Sequence, residues 1–123
     1  MRNLRADLIG FNATFGLPIG DRDMDEEWLL FRHRFLREEV DEFMAGIVLN
    51  SHNDMLDALV DIIYVAVGTA VTLGYPLEEA WDRVHNANLK KVRAKDSSES
   101  KRGHGMDLIK PLGWEAPNFE DIL

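Results

Sequence analysis

Residues 54–73 read DMLDALVDIIYVAVGTAVTL, and the fold turns on how that stretch is read. From Ala58 onward it is apolar almost all round, the pattern of a helix enclosed by other helices. Carboxylates interrupt it at Asp54, Asp57 and Asp61. Their spacings of three and four put all three on one face of a helix, and Tyr64 and Gly68 continue the same seam. An unpartnered carboxylate in such surroundings costs on the order of several kcal/mol, and the stretch contains no Lys or Arg to pair with. The apolar run Ala58 to Leu73 is broken by Asp61 and is shorter than the roughly 20 residues of a membrane span. It is read as a core helix, with no membrane association expected.

The segment upstream repeats the pattern. A helix is predicted from Asp25, whose carboxylate can cap it, to Ala45, with Gly46 as its stop. One seam runs Trp28, Phe31, Phe35 and continues at the same step into Glu38, Glu39 and Glu42, beside the apolar stripe Leu29, Leu36, Val40, Phe43. Two successive helices that each aim a row of acids along a core-facing seam would repel one another. A divalent cation removes the conflict, and oxygen-only ligands favour Mg²⁺, Mn²⁺ or Ca²⁺. The plainer alternative is that these acids pair with Arg32, Arg34, Arg37 or solvent.

A short helix is expected over Asn3 to Phe11, followed by a loop at Phe15-Gly16-Leu17-Pro18-Ile19-Gly20. The turn Asn50–Asn53 leads into the helix Asp54–Leu73, which Gly74 ends. Pro76 opens a last helix that runs to Arg93. Its stripe Leu77, Trp81, Val84 leads to Asn88, with His85 and Lys91 each three residues away. Asn88 is then either a satisfied structural amide or a ligand for a phosphate oxygen, Lys91 a neutraliser of phosphate charge, and His85 structural or exposed. Residues 95–109 read as a mobile stretch, and 110–123 as a Pro-rich docking tail with Trp114 and Phe119.

No repeat and no strand-like alternation is present. The prediction is all-α: one domain over residues 1–123, about four helices, completed as a homodimer or a dimer of dimers. The chain has no cysteine, which excludes disulfides and thiolate metal sites and leads to a cytoplasmic expectation. The net charge of −8 argues against a general nucleic-acid binder. Yet from Arg83 to Lys110 eight basic residues face three acids, so a cation-holding acidic part and a phosphate-holding basic part are expected.

Taken together these residues resemble the all-α nucleotide pyrophosphohydrolases, a group that includes the MazG-like enzymes and phosphoribosyl-ATP pyrophosphohydrolase. The Glu-Glu-x-x-Glu half of its signature is intact at Glu38, Glu39 and Glu42, and its second half matches at Asp61. The His-x-x-Asn-x-x-Lys segment matches at His85, Asn88 and Lys91, and the tail from Lys110 through Trp114 to Pro117 matches Lys-Pro-x-Gly-Trp-x-x-Pro. The Glu expected three residues before Asp61 is Ala58, with Asp57 or Asp54 as its replacement.

The resemblance implies Mg²⁺-dependent hydrolysis of a nucleoside triphosphate between its α and β phosphates, with Mn²⁺ as a substitute metal. It implies Glu39, Glu42 and Asp61 as ligands, Asp57 as a further one, and Glu38 as a ligand or the base beside Glu39. Asn88, Lys91, Lys110 and Tyr64 fall to the substrate, and the base to the first helix, the Phe15–Ile19 loop and a partner subunit. Two rivals are a non-catalytic acidic helical binding protein and a di-iron bundle. The latter needs two Glu-x-x-His motifs, against a single Asp82-x-x-His85 here.

Overall fold

The computed structural model describes residues 3–123. Four helices dominate them: α1 (Leu4–Thr14), α2 (Glu26–Val48), α3 (His52–Leu73) and α4 (Leu77–Leu89). Two-residue strands β1 (Val92–Arg93) and β2 (Leu108–Ile109) pair antiparallel. The expected all-α architecture is present. The chain forms two compact units, Met1–Leu77 and Glu78–Leu123.

In the first unit α3 packs on both α1 and α2. Leu8 of α1 meets Val67 and Val71 of α3 in the core, flanked by Ile9 and Leu77. The Asp25 carboxylate accepts from Trp28 N at 2.8 Å and caps α2. Ser51 Oγ accepts from Asp54 N at 3.1 Å, so α3 begins at His52, two residues before the predicted start. Gly74 ends α3 in the left-handed conformation, φ 68°.

Gly46 does not stop α2, which continues to Val48. It is buried, and a Cβ there would lie 2.9 Å from both Cγ and backbone N of Met55. The missing side chain lets α3 approach α2, a tertiary role that mimics a helix stop in sequence.

Nor is α3 enclosed along its whole length. Val65, Val67, Gly68, Ala70, Val71, Thr72 and Leu73 are buried, but Leu56, Leu59, Val60 and Ile63 are 43–64% exposed. The reason is length: α1 has 11 residues against 22 in α3, and its Leu8 and Phe11 lie along the stretch from Tyr64 to Val71. The helix is also longer than the apolar run counted from Ala58. It is long and apolar enough to cross a membrane by length and composition alone.

The segment between α1 and α2 is strapped to the end of α3. Asn12 Nδ2 donates to Pro18 O (2.9 Å) and Thr72 Oγ1 (3.0 Å). Gly20 N and Asp21 N donate to the carbonyls of Val71 and Thr72, and Arg22 donates to those of Leu73 and Gly74. The last carbonyls of a helix lack partners within it, and here the loop supplies them.

In the second unit α4 ends at Leu89, four residues before the predicted Arg93. Lys90 N and Lys91 N close turns onto Ala87 O and Asn88 O, and Val92–Arg93 are taken by the strand pair. Residues 95–109 carry their own bonds: Ala94 N to Asp107 O, Ser100 Oγ to Asp107 (2.6 Å) and Arg102 to Asp107 (2.6 Å). From the tail, Trp114 Nε1 donates to Ala87 O (2.7 Å), and Arg83 binds both Asp121 carboxylate oxygens and Asn118 O.

Candidate metal centre

The α2–α3 pairing brings Glu39 and Glu42, one turn apart on α2, against Asp61 on α3. One carboxylate oxygen from each lies within 4.8 Å of the others. Neither Arg32, Arg34 nor Arg37 pairs with them. Arg32 instead donates from Nε to Thr69 Oγ1 (2.9 Å) and from Nη2 to Val65 O (3.0 Å). Among the described residues no basic side chain is paired with these acids, which face each other.

The electrostatics follow from that. Glu39 Oε2 is buried and receives no hydrogen bond. Burial, then the hydrogen-bonding oxygen and charge of Glu42, then Asp61, push the Glu39 carboxyl from 4.5 up to about 7. Near neutral pH a proton on Glu39 is the donor that relieves the three-way repulsion. A divalent cation would do the same with greater charge and would take up the orphaned oxygen. An all-oxygen donor set of three converging carboxylates thus fits a hard divalent cation.

The remaining predicted site residues are placed differently. Glu38 is exposed and outside the converging trio. Asp57 is also exposed and outside the trio; with Ala45, Gly46 and Asp54 it lines a shallow cavity that shares Glu42 with the trio. Ala58, where the family Glu is expected, is 1% exposed and serves as a packing residue. Tyr64 stands edge-on to Phe11, ring centroids 5.5 Å apart. Asn88 (exposed), Lys91 (half-buried) and Lys110 (exposed) belong to the second unit.

A second cavity of the first unit, of about 330 Å³, was not foreseen. Phe11, Trp28, Phe31, Phe35 and Tyr64 line it, with Asn12 and Arg32 as its polar groups. Phe35 lies one turn before Glu39 and Tyr64 one turn after Asp61, so the cavity continues the carboxylate seams on the same two helices. Arg32 sits 5.5–5.8 Å from the centroids of Trp28, Phe31 and Phe35, with its charge held among rings rather than by an acid. Its position four residues after Trp28 and three before Phe35 is the sequence signal for this placement.

Four helices with converging carboxylates on the second and third define the class of all-α nucleotide pyrophosphohydrolases. The family model of phosphoribosyl-ATP pyrophosphohydrolase matches residues 8–88, about two thirds of the chain, and the chain belongs to that family. The match spans the trio and the aromatic cavity; Lys91, Lys110 and the tail lie beyond it. No curated protein matches the chain.

Proposed function

We propose that the chain is a Mg²⁺-dependent nucleotide pyrophosphohydrolase that cleaves between the α and β phosphates of a nucleoside triphosphate. It would yield a monophosphate and pyrophosphate. The observation that carries this reading is the Glu39–Glu42–Asp61 trio beside an aromatic cavity, in a chain of a pyrophosphohydrolase family.

Glu39, Glu42 and Asp61 would hold the ion, Mg²⁺ or in its place Mn²⁺. When bound, the ion supplies positive charge to the phosphate oxygens and polarises a water. The chain does the rest. Glu38, exposed next to Glu39, is free to take the proton of the attacking water, as a general base must be. The aromatic cavity offers ring faces for stacking a base, and Asn12 and Arg32 bring polar groups to its edges. Asn88, Lys91 and Lys110, all of the second unit, would offer an amide and two ammonium groups to phosphate. Tyr64 stands on the cavity wall nearest Asp61 in sequence.

The exposed apolar residues of α3, with Val40, Met44 and Ile47 of α2, support a homo-oligomer. The test of function is pyrophosphate release from a panel of canonical and modified (d)NTPs and phosphoribosyl-ATP, with Mg²⁺ and with Mn²⁺. Turnover of at least one nucleotide is expected, with Glu39→Gln and Asp61→Asn inactive. Full metal-dependent release by both variants would sink the proposal. A response to phosphoribosyl-ATP alone would replace the triphosphate by that substrate.

A further inference from the structure

The second unit brings together three facts that the proposed reaction does not by itself require. The ammonium groups of Lys91 and Lys110 lie 5.2 and 5.0 Å from the centroid of one ring, that of Trp114. They are therefore no more than about 10 Å apart, close enough for like charges to repel at ordinary ionic strength. Among the described residues neither has a carboxylate at ion-pair distance, and the same is true of Lys101. All three lysines line one cavity of about 640 Å³.

The acids of that cavity are already engaged. Asp107 is bound to Arg102 and Ser100, which hold its carboxyl well below the usual range. Glu99 Oε2 accepts from Lys95 N at 2.8 Å. Three lysines thus line the cavity with no carboxylate paired to any of them; Glu99, the one acid there not bound to an arginine, is anchored to the backbone. The ring that gathers two of them is itself fixed: Trp114 Nε1 donates to Ala87 O, the carbonyl one turn before Lys91. One indole is tied to the end of α4 by its N–H and to two lysines by its π face. A cation over an indole gains electrostatically from the ring, so the tether limits where both ammonium groups can go.

We infer that Trp114 is a positioning residue that holds Lys91 and Lys110 as a paired clamp. With Lys101 they form a binding site for an oligophosphate anion that needs no metal. The ligand class is an inorganic or ester-linked chain of two or three phosphates, which carries several negative charges to set against the three lysines. The inference rests on the reading that these lysines serve phosphate, but its test uses neither metal nor turnover.

Tripolyphosphate is titrated into the full chain in EDTA, with affinity read by calorimetry and folding by circular dichroism. Wild type binds. Lys91→Ala and Lys110→Ala each weaken binding about tenfold, as expected for losing one of few charge-assisted contacts. Trp114→Leu, which removes the π face, weakens it about tenfold with both lysines still present. Trp114→Phe, which keeps a ring but loses the tether, weakens it about threefold. A merely structural Trp114 would lower thermal stability without this gradation, and Lys91→Ala would then cost as much in the Trp114→Leu background as in wild type. A smaller cost in that background is expected. Should Trp114→Leu fail to fold, the folded Trp114→Phe variant decides: unchanged affinity overturns the inference. No binding by wild type overturns it as well, and leaves the carboxylate reading to stand or fall on pyrophosphate release alone.

Discussion

Among single residues, Glu39 governs the behaviour of the carboxylate trio. Its carboxyl is raised from 4.5 to about 7, so the folded protein keeps a proton there that the unfolded chain gives up. A carboxyl raised on folding favours the folded state below the unfolded value, and that contribution is lost as pH rises through 7. Metal-free protein should therefore lose thermal stability as pH rises from about 5 to about 8. Glu39→Gln should flatten the trend, and Mg²⁺ should restore the loss at the alkaline end. The proton and the cation compete for the same oxygens, so Mg²⁺ affinity should rise with pH across about 7, measured by calorimetry. Asp61→Asn should cost far more affinity than Asp57→Asn, because Asp57 is exposed and lies outside the converging trio. A loss of equal size in the two variants would move the centre toward Asp57.

The helices were legible where the signal was local. Asp25 as a cap and Gly74 as a stop need only the chain on either side, and both stand as read. So does the phasing of Glu39, Glu42 and Asp61, since helical spacing alone fixes which side chains share a face. Glu38 illustrates the limit: one residue from Glu39, it is turned about 100° around the helix, and only the partner helix decides which of the two faces inward. Gly46 was misread because a glycine that admits a neighbouring helix looks like one that ends its own. Gly46→Ala should lower stability by about 1–3 kcal/mol, because Met55 meets the added Cβ with backbone as well as side chain. Urea unfolding followed by circular dichroism measures this, and a change under half a kcal/mol or so would show that the two helices can part there without strain.

At the scale of the molecule, the sequence identified α3 as the apolar centre but could not show that α1 is too short to cover it. Coverage depends on the relative lengths and placement of two helices, which no single window of sequence holds. The aromatic cavity escaped for the same reason: Phe11, Phe31 and Tyr64 come from three helices. The uncovered face gives a further expectation. The chain should scatter light as a dimer or tetramer, and Leu56→Lys, a change at a position 64% exposed in the single chain, should shift it toward monomer with helicity intact. A wild-type monomer at working concentration would count against a second copy on that face.

The strap across the end of α3 bears on how the protein meets a protease. Residues 13–23 expose every side chain, and the stretch looks like a cleavage site. Cleavage requires several residues of main chain to peel away into an extended form. Here peeling would break the bonds from Gly20, Asp21 and Arg22 to the carbonyls of Val71, Thr72, Leu73 and Gly74 at the end of α3. The loop should resist limited digestion for as long as α3 remains folded, so nicking there would report global opening rather than local fraying.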